Sequence, residues 1–346
     1  MDCQNKEISI VGAGLAGLSL GIGLRNSGVP VTLYEASHFP RHRVCGEFIS
    51  GVSPKILQFL GVDDLLHGAQ QHRKIRWYYK NTVIFESELP VLAWGISRFK
   101  LDELMANRLK EVGGTLIESH RIAKDVRRKN NEGWVWASGR KVHIKSKWLG
   151  LKVHVCKLEM KADLEMHLGE NGYVGLSRVE RGRVNVCGLF RKEQFLQNNK
   201  QSIFKNYLYA NGLEYLSERI SKAGKDERSL SSVSAFHLGW NESNASDFEI
   251  GDRLGVIPPF TGNGMSMAFE GAAEALNELK RYSYGDQTWK ESRDRFLKRA
   301  RKKFSWRMQM ASRLHPFLLN SSLRMVLLHL CKLNLLPFNL LLRLLR

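Results

Sequence analysis

The stretch that decides the fold runs from Lys6 to Ser37 and reads KEISIVGAGLAGLSLGIGLRNSGVPVTLYEAS. It begins with a short apolar segment, continues through a glycine-rich loop and a helix-like run to Asn26, and ends in a second apolar segment, VPVTLYEA. This order predicts a β-loop-α-β unit within about 30 residues. Such a unit is typical of nucleotide-binding proteins, and other parts of the chain must decide which nucleotide is bound.

The loop of this unit has the spacing G-x-G-x-x-G, formed by Gly12, Gly14 and Gly17. The first glycine permits the tight turn, the second lets the backbone approach a pyrophosphate, and the third lets the helix pack closely on the strand. Glu35 follows at the end of the second strand, where an acid accepts hydrogen bonds from a ribose and disfavours a 2′-phosphate. We predict a dinucleotide site here; the alternative is a glycine-rich βα turn without a ligand.

Composition narrows the class of protein. The chain has 346 residues and 43% hydrophobic content, enough for one large domain or two entwined ones. Its net charge of +19 favours anionic partners: a phosphate-bearing cofactor, nucleic acid or an anionic membrane. The five cysteines are scattered and form no CxxC, and the histidines show no ligand spacing, so we predict neither disulfides nor a metal site. The N-terminus lacks the pattern of a secretory signal, and we expect a cytoplasmic location.

Hydrophobic periodicity predicts the remaining elements. Ser97–Gly114 has helical spacing, residues 151–190 alternate like antiparallel strands, and residues 191–223 are mostly helical. The expected fold class is α/β, or mixed α+β: a Rossmann-type domain with an inserted mixed β-sheet domain and a helical C-terminal region. We assign the segments as follows: cofactor domain 1–75, 96–150 and 245–285; substrate domain 76–95 and 151–244; basic, leucine-rich region 286–346.

A second motif, EIGDRLGVIPPFTGNGMSMAFEGA (residues 249–272), lies over two hundred residues downstream. Asp252 at a strand end is suited to accept a hydrogen bond from a ribitol hydroxyl. Gly262-Asn263-Gly264 opens a helix whose positive end stabilises the negative charge that a flavin gains on reduction. The motif therefore favours FAD. The alternative is an ordinary strand–turn–helix connection with Asp252 as a capping residue.

Four motifs occur together and in order: Gly12-x-Gly14-x-x-Gly17, PRHRVCGEF (Pro40–Phe48), SRFKLD (Ser97–Asp102) and GD…PPFTGNGM (Gly251–Met265). In this combination the chain resembles the FAD-dependent monooxygenases and geranylgeranyl-reductase-like flavoproteins, which share the p-hydroxybenzoate hydroxylase fold. The resemblance covers roughly residues 5–280. It implies FAD as the cofactor and NADH or NADPH as the electron donor.

The resemblance also implies roles for individual residues. Gly12, Gly14, Gly17 and Glu35 would hold the ADP half, with Arg43 and Arg98 near the phosphates or ribityl chain. Asp252 would bind the pyrophosphate–ribityl part. The isoalloxazine would be bordered by Pro259, Gly262, Asn263 and Gly264. Two departures from the family pattern are an arginine after Asp252 and the partial fit of Ser138-Gly139-Arg140 to the family's A-D/A-G-x-x-S stretch.

Cys45 and Glu47 are the candidate catalytic residues. In the reductase-like branch a cysteine in this motif lies close to the flavin, and a thiol or carboxyl there is able to shuttle a proton to substrate. The alternative is structural: Cys45 as a small buried apolar residue, and Glu47 as an ion-pair partner of Arg41 or Arg43.

The C-terminal tail is basic and rich in leucine, and Asp294 is its last acidic residue. No run reaches the roughly 18 apolar residues of a spanning helix. The tail predicts peripheral association with an anionic membrane; the alternative is a helical hairpin packed over the substrate domain. It lacks the interleaved aromatic residues of a single-strand binder, which excludes nucleic acid as the expected partner.

The favoured function is an FAD-dependent monooxygenase that hydroxylates or epoxidises a hydrophobic small molecule (aromatic, polyketide or isoprenoid) with NAD(P)H and O₂. A reductase that saturates C=C bonds of an isoprenoid or lipid is the first alternative. A non-catalytic, flavin-binding, membrane-associated accessory protein is the second. A flavin halogenase is less favoured because the chain lacks a WxWxIP signature.

Overall fold

The computed structural model describes residues 5–123, 132–193, 202–242 and 246–346. In these ranges the helices, numbered in chain order, are α1 (Leu15–Asn26), α2 (Pro54–Leu60), α3 (Arg98–Glu111), α4 (Ile203–Ala210), α5 (Glu214–Lys222), α6 (Gly264–Ser283), α7 (Trp289–Leu314), α8 (Pro316–Leu319), α9 (Ser321–Lys332) and α10 (Phe338–Leu344). Two short 3₁₀ turns that matter for the site are Gly251–Arg253 and Pro259–Thr261.

A parallel five-stranded sheet, sheet A, forms the first layer. Its strands, in spatial order, are β14 (Phe248–Glu249), β7 (Trp134–Trp136), β1 (Ile8–Val11), β2 (Val31–Tyr34) and β6 (Thr115–Ile117). The apolar residues of β1 and β2 are buried among α1, α3 and α6 in one large core. Because the strands are parallel, their carboxyl ends lie at one edge, where ligands bind in open α/β sheets.

The second layer is a mixed eight-stranded sheet, sheet B. In spatial order it contains β12 (Gly224–Ser234), β8 (Trp148–Cys156), β11 (Arg183–Arg191), β10 (Gly172–Arg178), β9 (Leu164–Leu168), β4 (Gln70–Tyr79), β5 (Thr82–Gly95) and β3 (Phe48–Ile49). All its pairs are antiparallel except β4 with β9. A small ribbon joins β13 (Gly239–Trp240) to β15 (Gly255–Val256).

The predicted fold class is confirmed, and so is the helix after Ser97, whose hydroxyl caps it by accepting from the Lys100 amide at 3.0 Å. Residues 151–190 form the expected antiparallel strands. Sheet B begins earlier than its predicted boundary at residue 76, since β3 and the first half of β4 belong to it. The segment QQHRK at the start of β4 is mostly exposed and polar, so its sequence carries no apolar alternation.

The C-terminal region is helical, as expected, and it packs on the protein. Helix α7 lies along α6, α8 contacts β10, and α9 contacts β5. Arg324 on α9 anchors this region, donating to the carbonyl of Gly169 at 2.7 Å and pairing with Glu170 at 2.8 Å. Among the described residues, no helix combines the length and apolar character needed to cross a bilayer.

Candidate functional site

The loop between β1 and α1 accepts only glycine at two of its three motif positions. A methyl group at Gly12, where φ is +107°, would lie 2.5 Å from the carbonyl oxygen of Ala137 on the neighbouring strand's end. A methyl group at Gly17 would lie 2.1 Å from the carbonyl oxygen of Gly12. Gly14 differs, because nothing occupies the space within 4 Å of its missing side chain. Its backbone therefore faces a cavity rather than a packed neighbour.

The second helix start has the same construction. Gly262 adopts φ +67°, and Gly264, the first residue of α6, has open space where a side chain would stand. Helices α1 and α6 pack against each other, with Leu276 against Gly23. The 3₁₀ turn after β14 is also close, since a methyl group on Gly251 would lie 2.9 Å from Cβ of Ala16. Both helix starts thus border the same edge of sheet A.

One cavity of about 510 Å³ lies between these two helix starts. Ten of the residues predicted from the sequence line it: Gly12, Gly14, Glu35, Arg43, Cys45, Arg98, Asp252, Pro259, Gly262 and Gly264. Three do not. Gly17 packs inside the loop, Glu47 points into sheet B, and the buried amide of Asn263 donates to the carbonyl of Leu345. The side chain of Asn263 thus faces the C-terminal segment, and its place beside a cofactor stays a prediction.

Glu35 sits at the end of β2, where the sequence placed it, and its carboxylate organises the adjoining cations. It accepts from the amides of Ala13 at 2.9 Å and Ser37 at 3.0 Å, and from the Arg41 guanidinium at 2.7 Å. Burial alone would raise the pKa of Glu35, but the Arg41 contact and these amides outweigh burial and lower that pKa. The carboxylate is therefore ionised and retains acceptor capacity toward a hydroxyl in the cavity.

Cations line the middle of the cavity. Arg43 lies 3.5 Å from Glu35 and 3.4 Å from Asp102, while Arg98 forms a bidentate pair with Asp102 at 2.6 and 2.7 Å. Nε of Arg41 is buried without a hydrogen-bond partner among the described residues. Buried donors of this kind require an acceptor, and an anionic group in the cavity would supply one.

Arg140 is a site residue that the sequence singled out only as part of a poorly fitting motif. It follows β7, lines the cavity, and donates from Nε to Oδ2 of Asp252 at 3.1 Å. Its guanidinium also lies over the ring of Phe236, 4.9 Å from the centroid. Arg253, the departure noted after Asp252, instead pairs with Glu249 at 3.1 Å. The cation beside Asp252 is therefore Arg140, from the segment that follows β7, and not the adjacent Arg253.

Cys45 lies where the first cavity meets a second one. The second cavity, of about 380 Å³, is apolar and sits between sheet B and the C-terminal helices. Eight residues line both cavities: Val44, Cys45, Gly46, Phe48, Arg140, Val256, Ile257 and Pro259. Burial raises the pKa of the Cys45 thiol, against the opposing effect of Arg98, so the thiol is protonated at neutral pH.

The loop that carries Cys45 is fixed by side chains from three strands of sheet B. Asn185 donates to the carbonyl of Cys45 at 3.0 Å, and Ser177 donates to that of Gly46 at 2.7 Å. Glu47, with φ +55°, pairs with Lys152 at 3.2 Å and with His154 at 2.6 Å. The expected partners of Glu47, Arg41 and Arg43, pair with Glu35 instead.

The described residues contain no cluster of three or more His, Cys, Asp or Glu side chains that would hold a metal ion. The donor set of the first cavity fits a dinucleotide instead. It offers glycine backbone with open space at both helix starts, an ionised Glu35, and an Arg41 Nε that is buried without an acceptor among the described residues. These groups match the pyrophosphate and hydroxyls of FAD.

Solved structures of flavoproteins superpose on this chain over most of its length. PqsL, a probable FAD-dependent monooxygenase from Pseudomonas aeruginosa, matches with a TM-score of 0.68 at 12% identity, covering 92% of this chain and 98% of that one. The flavin-dependent brominase Bmp2 matches with a TM-score of 0.74 at 17% identity, covering 98% and 93%. The chain has the fold of FAD-dependent monooxygenases and flavin-dependent halogenases. The fold that the motif resemblance implied is thereby confirmed.

Sequence comparisons add weaker links, and no protein-family model matches the chain. A flavin-dependent halogenase of Armillaria mellea, armH4, is 28% identical over 139 residues, which are 36% of this chain and 26% of the halogenase. Conditioned medium factor receptor 1 of Dictyostelium discoideum is 21% identical over 375 residues, covering 90% of this chain and 71% of the receptor. The chain therefore matches about a quarter of that halogenase's length. The geranylgeranyl-reductase-like branch stays a prediction.

Proposed function

We propose that this flavoprotein-fold chain is an FAD-dependent monooxygenase that oxidises an apolar small molecule. The observation that carries the proposal is that the polar and the apolar cavity adjoin, with Cys45, Phe48, Arg140 and Pro259 among the residues that line both. A flavoenzyme needs this arrangement, because the reactive end of the cofactor has to meet a substrate away from water. Among the solved neighbours, PqsL carries a monooxygenase name, whereas Bmp2 is a brominase.

In this proposal the chain's own residues hold FAD along the first cavity. Glu35 would accept from the ribose, the amides after Gly12 and Gly14 would face the pyrophosphate, and Arg43 and Arg140 would offset its charge. Gly262 and Gly264 bring the start of α6 to the ring, where the positive helix end favours negative charge. When bound and reduced, FAD supplies the electrons that activate O₂. Pro259 and Phe48, which line both cavities, would border the flavin ring.

NADH or NADPH is the proposed electron donor, and a surface cleft offers it room. The cleft has a volume of about 1300 Å³ and shares Arg41 with the cofactor cavity. Cations including Lys100, Arg181 and Arg228 line it, together with acids that offset part of their charge. Hydride transfer requires direct contact with the cofactor, so a nucleotide held there would have to reach past the segment 40–43 into the cofactor cavity.

The substrate proposed for the second cavity is apolar and compact. Its lining is dominated by leucine, phenylalanine and valine side chains, with Tyr173 as a polar group on one wall. The Tyr173 hydroxyl accepts from the Phe260 amide at 3.2 Å and lies 3.3 Å from Nε2 of His315. Both contacts hold the hydroxyl in place, so it can orient a single polar group of a largely hydrophobic substrate.

The test is turnover by purified, FAD-loaded protein against a panel of aromatic, polyketide and isoprenoid compounds. We expect NAD(P)H oxidation that a panel member stimulates, with one atom of isotopically labelled O₂ entering the product. Oxidation that yields no oxygenated product, or halide transfer in its place, would contradict the monooxygenase assignment. No NAD(P)H oxidation at all would favour the non-catalytic accessory protein.

A reductase is the second candidate, and the protonated Cys45 thiol at the cavity junction favours it. A thiol in this position is able to protonate the carbon next to one that receives a hydride. Under anaerobic conditions the reductase would saturate an isoprenoid C=C bond, and Cys45→Ala would abolish this activity. A monooxygenase would be inactive without O₂ and would keep most of its aerobic turnover in Cys45→Ala.

A further inference from the structure

The C-terminal helices expose an apolar surface that the fold leaves uncovered. Five side chains on it are between 49% and 62% exposed: Met325, Val326, Leu333, Leu335 and Leu340. We call these five residues the outer face. Single exposed apolar residues are common on proteins, but these follow one another along α9, the connection to α10, and α10 itself. Met325 and Val326 lie on α9, Leu333 and Leu335 in the connection, and Leu340 on α10.

The other side of the same helices forms a wall of the apolar cavity. Leu327 and Leu330 of α9, and Phe338 and Leu341 of α10, line that cavity. A helix with its side chains is about 10 Å thick. The outer face is therefore separated from the proposed substrate cavity by a single layer of helix.

The charges around the outer face indicate what binds to it. No acidic residue follows Asp294 in the sequence, whereas Lys332 and Arg343 are exposed next to the outer-face leucines. Glu170, the acid that pairs with α9, is held by Arg324 at 2.8 Å. Exposed leucines flanked by unopposed cations are the composition of a segment that lies on an anionic bilayer.

We propose that the outer face docks on an anionic membrane surface and that the substrate enters the apolar cavity from the lipid. The docking follows from exposure and charge alone, while the route of the substrate rests on the function proposed above. The helices that carry the outer face have 12 and 7 residues. This length suits a segment lying in the interface rather than one crossing the bilayer.

The experiment is flotation of the full chain with phosphatidylcholine vesicles, either alone or with about 30 mol% phosphatidylserine. The phosphatidylserine gives the vesicles a negative surface potential. Wild type should float with the anionic vesicles. Leu335→Glu/Leu340→Glu should reduce the bound fraction at least about tenfold, because it removes apolar contact and adds negative charge. Lys332→Gln/Arg343→Gln should weaken binding to anionic vesicles by about fivefold for each cation and leave neutral vesicles unaffected.

The matched control is Val142→Glu/Ile144→Glu, which places two acids at exposed apolar positions outside the C-terminal region (80% and 89% exposed). It should float like wild type. Equal flotation of wild type and Leu335→Glu/Leu340→Glu, or flotation of neither, would overturn the proposal. So would a wild-type dimer in vesicle-free buffer that this variant converts to a monomer, since a second copy would then cover the outer face. FAD content, measured on every variant, reports separately on the proposed function.

Discussion

The carboxylate of Glu47 accepts a 2.6 Å hydrogen bond from Nε2 of His154, and neither side chain is exposed to solvent. The same carboxylate pairs with Lys152, also fully buried, at 3.2 Å, and accepts from the Arg98 amide at 3.1 Å. Nζ of Lys152 in turn lies 3.2 Å from Nδ1 of His42, and His42 lines the surface cleft proposed for NAD(P)H. This buried cluster joins sheet B to the loop that carries Cys45.

We predict that Glu47→Gln destabilises the protein by about 3 kcal/mol, because it leaves the charge of Lys152 buried without its counterion. Chemical denaturation of both proteins measures the change in the free energy of unfolding. The control is Glu86→Gln, which removes an exposed ion pair with Arg76 at 2.7 Å and should cost less than about 1 kcal/mol. Equal effects of the two substitutions would show that the buried cluster has no special structural role.

Some of the residues around the candidate site could be predicted from the sequence, and others could not. The glycines of both loops could be predicted, because a tight turn or an approaching ligand restricts the residue type locally. The partners of Glu47 could not, since Lys152 and His154 lie more than a hundred residues away and reach it only through the register of β8. Arg41 and Arg43, the partners that the structural alternative gave to Glu47, are its near neighbours in sequence but pair with Glu35.

The side chain of Asn263 illustrates a second limit. Its position before α6 suggested a role at the flavin, yet its amide turns toward the carbonyl of Leu345. The leucine-rich tail carries no local signal for this contact. Arg140 was underestimated because the stretch around it fits the family pattern only in part, whereas its pairing with Asp252 depends on β7 and β14 being adjacent.

Stability should fall as the pH is lowered below 6.5, in part through His315. Burial among Trp148 and Phe260, with a smaller effect of Arg191, lowers the pKa of His315 to about 4. His315 is protonated near pH 6.5 in the unfolded chain but only near pH 4 in the folded chain. The contribution of neutral His315 to the free energy of unfolding is therefore complete above pH 6.5. It is lost between pH 6.5 and about pH 4, at about 1.4 kcal/mol per pH unit.

His315→Gln removes this titrating group. Denaturant unfolding at several pH values between 7 and 4.5 should give a slope of stability against pH that is shallower by about 1.4 kcal/mol per unit. Burial also lowers the pKa of His72 to about 4, so His72→Gln should produce a similar reduction independently. The slope is the readout, and a general loss of stability does not affect it. An unchanged slope in both variants would contradict the account.

Filling the apolar cavity should block its ligand without disturbing FAD. A methyl group at Gly175 on β10 would meet only the carbonyl oxygen of Cys187, at an ordinary 3.9 Å, and Gly175 lines the cavity. We expect Gly175→Val to weaken binding of an apolar fluorescent dye about tenfold or more, since the valine occupies space that the dye needs. Gly224→Val, with an equally open site on β12 outside this cavity, is the control. Equal dye binding by both variants would place the ligand elsewhere.

The central claim is that one dinucleotide spans the helix starts at Gly14 and Gly264. The most direct measurement is a titration of Gly14→Val, Gly264→Val and the control Gly68→Val with FAD and with ADP, which is one half of FAD. All three glycines have open space at the missing side chain. The account predicts one FAD per chain, loss of both ligands in Gly14→Val, loss of FAD alone in Gly264→Val, and wild-type binding in Gly68→Val. Wild-type FAD affinity in Gly264→Val would contradict it.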